Sequence, residues 1–145
     1  KGHQYGYTSF KKKQILTLVK LCKILKKKYK IKTKNFLGHS DIAPLRKIDP
    51  GEKFPWEFLS IKKIGIWHDF RSNFLRKYRK LKVSKKEVKK FKFFLTRIGY
   101  FLPKDKTKSF KRTTKAFQRH FRRQLINGIL DKECLIIADN LAKKS

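Results

Sequence analysis

A chain of 145 residues fits one ordinary domain or two small ones and excludes a large multidomain enzyme. Its 41 Lys and Arg against 10 Asp and Glu give a formal charge of +31, a field that draws polyanions and says little about fold. Hydrophobic residues make up 39% and aromatics 14%, with 13 Phe, enough for a packed core, which argues against wholesale disorder.

Lysines interrupt every apolar stretch, so no run reaches the roughly 20 residues of a membrane span. Cys22 and Cys134 lie far apart, each among apolar residues at helical spacing, and read as buried, inert thiols instead of a disulfide framework or a paired-thiol zinc motif. The start at Lys1 is neither a Met nor the charged-then-apolar opening of a signal peptide.

In chain order, Ile15, Val19, Cys22, Leu25 and Tyr29, widened by Leu18 and Leu21, predict an amphipathic helix over 10–30 with Thr8 or Ser9 as its cap. Its other face is lysine, and like charges three or four apart weaken an isolated helix, so the apolar face needs a partner layer. Asn35 to Leu37 reads as a short buried strand running into a polar, proline-punctuated loop from Gly38 to Gly51. Phe54-Pro55-Trp56 then opens a helix, with Pro55 in a first-turn position where its missing N–H does no harm. Residues 69–82 are densely charged and form the expected basic linker. Beyond it, Ser84 and Glu87 have capping-box spacing, and Val88, Phe91, Phe94, Leu95 and Ile98 face one side up to Gly99. Ser109 to Phe121 predicts a second helix, and Asp131 caps a third after the Asn127-Gly128 turn. No repeat of 20 to 50 residues is visible, which excludes a solenoid.

His39, Asp41, Lys47 and Asp49 share the loop that leaves the predicted strand, the kind of place where functional side chains converge on a rigid frame. Imidazole nitrogen and carboxylate oxygen are both good zinc donors, and an open catalytic site uses three protein ligands plus water. His39 and Asp49 supply two. Asp41 is more simply a turn or cap residue, and by composition alone Lys47 is a surface charge. His68 falls at the linker, and His120, between Ala116, Phe117 and Phe121, reads as a core or groove histidine.

Gly38-His39-Ser40-Asp41-Ile42-Ala43-Pro44, followed by Arg46-Lys47, Asp49-Pro50-Gly51 and Phe54-Pro55-Trp56, closely resembles the second zinc-binding stretch of the type 2 N-acetylmuramoyl-L-alanine amidases, relatives of the peptidoglycan recognition proteins. Gly2-His3-Gln4-Tyr5-Gly6-Tyr7 and the helix around Gln14 look like the segment before that loop, and Gly65-Ile66-Trp67 like the close of the catalytic domain. Ile98-Gly99-Tyr100 with Ala116-Phe117-Gln118-Arg119-His120-Phe121-Arg122 and Asn127-Gly128 is similar to the small helical peptidoglycan-binding module of some members.

The resemblance implies an α/β amidase domain over residues 1–68, N-terminally truncated to a long helix, a remnant strand and the metal loop. It places the linker at 69–82 and a three-helix module at 83–145. It also implies cleavage of the amide between N-acetylmuramic acid and L-alanine of peptidoglycan by a zinc ion held by two histidines and an aspartate. His39 and Asp49 match the second histidine and the aspartate, and Lys47 matches the cation that stabilises the developing oxyanion. The first histidine and the water-activating glutamate belong to strands before the position of Lys1, so this chain alone is expected to lack activity. His3 matches a non-ligand position. Leu45 stands where a glycine is usual, which strains the loop if that position needs positive φ. Recognition of peptidoglycan or muropeptides is assigned to the rim of the helical module, at Arg119, Arg122 and Asn127. Cytoplasmic and envelope enzymes both occur in the family, so the compartment stays open, as does the oligomeric state. Two other readings remain: a non-catalytic peptidoglycan-binding remnant, and a basic nucleic-acid-binding protein motivated by the charge and the interleaved Phe and Tyr. Non-specific polyanion binding accompanies any of them.

Overall fold

The computed structural model describes residues 8–102 and 108–145; Gly2–Tyr7, with His3, lies outside the described residues. Among the described residues seven α-helices follow one another: α1 Lys12–Lys28, α2 His39–Ile42, α3 Trp56–Ile61, α4 Ser72–Arg76, α5 Lys85–Ile98, α6 Lys108–Phe121 and α7 Lys132–Ala142. One turn of 3-10 helix, Thr33–Asn35, stands between α1 and α2.

The expected α/β architecture with a remnant strand is therefore corrected: among the described residues the fold is helical and no strand occurs. A strand needs a neighbour to satisfy its ladder. Asn35 instead ends the 3-10 turn, Phe36 is extended without a partner strand among the described residues, and the Gly65 amide donates to Thr33 O at 3.1 Å.

Two apolar clusters organise the helices. In the first, Ile15 and Val19 of α1 meet Trp56, Leu59 and Ile64. Only part of the apolar stripe of α1 is covered, since Leu21 and Tyr29 are exposed, and the helix starts after Lys11 with no side-chain cap, not at Thr8 or Ser9. The second cluster gathers Phe91 and Leu95 of α5, Ala116, Phe117 and Phe121 of α6, Cys134, Ile137, Ala138 and Leu141 of α7, and Leu75 of α4. Each fully buried large side chain here contributes about 1.5–3 kcal/mol of transfer free energy. Trp67 packs against both clusters.

Local signals explain why the helices of the second cluster stop and start where they do. The Ser84 hydroxyl accepts from the Glu87 amide while the Glu87 carboxylate accepts from the Ser84 amide, and Gly99 closes α5 in the left-handed region at φ 107°. Asp131 caps α7 by accepting from the Cys134 amide at 3.0 Å. One buried ionic knot ties this half together. Glu133, 1% exposed, accepts from Arg79 Nε at 2.7 Å and Nη2 at 2.9 Å. Arg122, equally buried, lies 3.4 Å from Glu133 and 3.3 Å from Asp131.

Candidate functional site

The loop from Gly38 to Gly51 is closed on itself by its backbone. The Ser40 amide donates to Asp49 O at 2.9 Å, and the Lys47 and Arg46 amides both donate to Ala43 O. Those bonds bring the two ends of the loop side by side. His39 Nδ1 and Asp49 Oδ2 come to 3.2 Å with side chains 48% and 60% exposed. Both donors are open to a ligand from solvent. Two ligands of one tetrahedral zinc, bound at about 2.0–2.1 Å, stand about 3.3 Å apart, so this spacing fits two of the positions of such a centre. Among the described residues no group of three His, Cys, Asp or Glu side chains converges, and the pair is the whole of the donor set they supply.

Lys47, half-buried, does not share this pair; it lines a groove between the loop and α6 together with Arg46, Arg112, Lys115 and Arg119. Leu45 is not among the positive-φ residues, which outside glycine are Lys30, Lys63 and Lys80. Leucine in place of the usual glycine therefore brings no positive-φ strain at this position.

A buried hydrogen-bonded cluster beneath the loop was not legible in the sequence. Asp41, 4% exposed, accepts from the Gly38 amide at 2.7 Å and from Tyr100 Oη at 2.6 Å, and pairs with His120 Nδ1 at 2.8 Å. Burial opposes ionisation of this carboxyl, but the charge of His120 and the bonds from His120, Tyr100 and Gly38 together outweigh it and hold the carboxyl below the usual range. The Tyr100 hydroxyl is pushed well up, first by burial and then by the Asp41 charge. The His120 ring is sandwiched between Trp56, at 4.0 Å between centroids, and Phe121, at 3.9 Å. Asp41 thus does serve as a cap, yet its larger role is to bolt α2 onto α5's end and α6. The partners lie 59 and 79 residues away in sequence, and no local pattern announces them. Gly38 fits this cluster closely: a Cβ there would stand 2.8 Å from Pro50 Cδ and 3.1 Å from Trp56 Cζ2.

The remaining sequence candidates are placed as follows. Arg122 is held in the ionic knot with Asp131 and Glu133. Asn127 Oδ1 accepts from the Ile129 amide at 2.9 Å and from Gln118 Nε2 at 3.2 Å, shaping the turn before α7. Arg119 faces the basic groove. His68 is buried, stacked on Trp67, and burial lowers its pKa. Cys134 is fully buried, and burial pushes its thiol up to about 12, as an inert core thiol requires.

A family model described as N-acetylmuramoyl-L-alanine amidase matches residues 2–52. The chain is 39% identical over 140 residues to N-acetylmuramoyl-L-alanine amidase AmiD of Escherichia coli K12, covering 95% of this chain and 50% of that protein. It is 47% identical over 45 residues to 1,6-anhydro-N-acetylmuramyl-L-alanine amidase AmpD of Haemophilus influenzae, covering 30% of this chain and 24% of that protein. In three dimensions it is similar to E. coli AmiD in complex with the substrate anhydro-N-acetylmuramic acid-L-Ala-D-γ-Glu-L-Lys, with a TM-score of 0.82 and 36% identity over 99% of this chain and 58% of that one. It is also similar to AmpDh3 of Pseudomonas aeruginosa, with a TM-score of 0.78 and 33% identity over 95% of this chain and 55% of that one. The likeness to AmiD runs through both apolar clusters, while this chain spans about half the length of that relative. On sequence and fold together, the chain is similar to the N-acetylmuramoyl-L-alanine amidases, of whose length it spans about half.

Proposed function

We propose that this chain is the metal-loop and wall-binding portion of a zinc-dependent amidase that cleaves the bond between muramic acid and L-alanine of peptidoglycan. The observation that carries the proposal is the approach of His39 Nδ1 and Asp49 Oδ2 to 3.2 Å on an open loop, in a chain whose relative was solved with a muropeptide substrate. Bound there, zinc would supply an acidified water and a Lewis acid for the amide carbonyl. His39 and Asp49 hold two of its positions, and Lys47 offers the positive charge that meets the developing oxyanion. The third donor comes from outside the described residues. Residues 1–68 form the catalytic portion, 69–82 the connection and 83–145 the part that recognises the wall.

Each protein ligand replaces a water and fixes geometry, so the two donors among the described residues are expected to hold zinc only weakly. The test is a sacculus pull-down in about 0.15 M salt, where exposed charges are screened beyond roughly 8 Å, run beside zinc content per chain and muropeptide turnover. Retention above that of a lysine-rich control, weak zinc binding lost in His39→Ala and no turnover are the expected results. Retention no better than the control removes the wall-binding half, and tight zinc with turnover removes the incompleteness.

A further inference from the structure

A line of aromatic rings leaves the junction of the two clusters and runs out to the surface. The Trp67 ring stacks on His68 at 4.9 Å between centroids, His68 on Phe70 at 6.1 Å and Phe70 on Phe74 at 5.7 Å, and Tyr78 leans on Phe74 at 5.5 Å. Burial falls along the line: His68 is buried, Phe70 half-buried and Phe74 45% exposed. Packing of the core does not account for the outer end. Leu75 anchors α4 in the second cluster at 2% exposure, whereas Phe74 and Tyr78 lie outside both clusters. The same surface is cationic. Lys77 Nζ sits 5.0 Å from the Phe74 centroid and 5.1 Å from that of Tyr78. Arg71 and Arg76 at the two ends of α4 are exposed, and no Asp or Glu occurs between Asp69 and Glu87. Aromatic faces beside fixed cations suit an anion that also presents flat apolar faces.

We propose that this ladder docks a glycan strand of peptidoglycan from which the peptides have been removed. The assignment rests on the amidase reading, whose reaction supplies the charge. Hydrolysis adds one water across the C–N bond between muramic acid and L-alanine. The acyl carbon on the sugar side gains the oxygen and ionises to a carboxylate, while the alanine nitrogen takes the protons and leaves with the peptide as an ammonium. Each cut therefore puts a negative charge on the strand, next to a pyranose whose C–H face complements the negative face of an aromatic ring. A stem peptide with a lysine carries an ammonium as well as carboxylates, so an intact strand brings mixed charge where a stripped one brings anions alone. Phe74 is the ring open for stacking, with Arg71, Arg76 and Lys77 as its cations. Residues 69–82 then hold the product of the reaction besides joining the two halves. Single-stranded nucleic acid also offers flat rings and anions, and the test separates it.

Calorimetric titration of the whole chain in zinc-free buffer at about 0.15 M NaCl tests it. The probes are peptide-stripped glycan strands, chitohexaose with sugar rings and no carboxylates, poly-glutamate with carboxylates and no rings, and single-stranded oligothymidylate. The stripped strands are expected to bind at least about tenfold more tightly than chitohexaose or poly-glutamate. Phe74→Leu, which stays apolar and loses the ring, should weaken that binding by about threefold to tenfold, the range of one aromatic contact. Phe74→Trp should restore it. Because Phe74 is exposed and outside both clusters, the fold does not depend on it. Phe93→Leu, at an exposed phenylalanine of α5, should change affinity by less than about twofold. Equal losses at Phe74 and Phe93, no loss in Phe74→Leu, or chitohexaose or poly-glutamate binding as tightly as the strands would overturn the assignment. Tighter binding of oligothymidylate would overturn it in favour of nucleic acid. Sacculus retention and zinc content are scored separately. Retention with an indifferent Phe74 removes only the ladder, and strand binding through Phe74 in a chain that holds no zinc at His39 supports the ladder while the metal-loop reading falls.

Discussion

Tyr100→Phe isolates a single hydrogen bond in the cluster beneath the loop. The ring stays, with its packing against Phe117 at 6.2 Å between centroids, and only the hydroxyl that donates to Asp41 Oδ1 at 2.6 Å is lost. The two remaining donors, the Gly38 amide and His120 Nδ1, both serve Oδ2, so a buried carboxylate oxygen is left without the tyrosine. A hydrogen bond to a charged group contributes about 1.5–3 kcal/mol, and at about 2–4 °C per kcal/mol for a chain of this size the melting temperature should fall by roughly 3–12 °C. The sign of the pH dependence follows from the depressed Asp41 carboxyl. Its ionic stabilisation is fully present above the unfolded carboxyl value of about 3.9 and is lost as the pH falls through the lower folded value. The stability gap between wild type and variant should therefore be largest near neutrality and narrow below about pH 4, toward the ~0.5–1.5 kcal/mol of a neutral pair. Urea unfolding followed by the fluorescence of Trp56 and Trp67 measures both limits. A loss under about 0.5 kcal/mol at pH 7, or a gap that widens on acidification, would refute the account of this cluster.

Three further outcomes are expected. Gly38→Ala should cost about 1–3 kcal/mol in urea melts, because its Cβ would stand 2.8 Å from the Pro50 ring, which has no flexible end to swing away. Glu133→Ala strips Arg79 of its bidentate partner and takes from the buried Arg122 one of the two carboxylates beside it, so it should cost about 3–5 kcal/mol, read by thermal denaturation. Thiol titration should count fewer than two fast-reacting cysteines in the folded chain and two in denaturant, since Cys134 is fully buried with its pKa pushed up to about 12 while Cys22 is partly accessible.

What could be read in advance follows how local each signal is. Capping at Ser84 and Glu87, the left-handed stop at Gly99 and the Asp131 cap each depend on residues within a turn of one another, and the sequence displays them. The apolar faces of α5 and α7 are legible for the same reason. The supposed strand from Asn35 to Leu37 failed because two apolar residues after an asparagine cannot tell a strand from an extended connector; that difference lies in whether a second strand is beside it. The lysine face of α1 was legible, but the extent of its cover was not, as the exposure of Leu21 and Tyr29 shows. His39 and Asp49 stood out by residue type and motif. Their approach to 3.2 Å depends on the Ser40–Asp49 backbone bond, which spacing does not reveal. Arg119 and Arg122 look alike in sequence, and only the fold shows that Arg122 is the one set between Asp131 and Glu133.

The two aspartates of the loop show how the fold divides structural from chemical work. Asp41 and Asp49 are the same side chain eight positions apart, and either could be drawn as a metal ligand. Asp41 is nearly sealed from solvent and accepts from Gly38, Tyr100 and His120. Drawing it to a cation would strand a buried tyrosine and a buried imidazole, each costing about 1–3 kcal/mol or more. Asp49 has a side chain 60% exposed and, among the described residues, spends its carboxylate on His39 alone, so turning it toward a ligand uncovers none of them. The buried carboxylate fixes α2, and α2 begins with His39. The orientation of the imidazole at the open pair is thus set by a tyrosine and a histidine from the second half of the chain. Tyr100→Phe should consequently weaken zinc binding at His39 as well as stability, although Tyr100 is no ligand. Unchanged zinc affinity in a folded Tyr100→Phe chain would uncouple the buried cluster from the loop it supports.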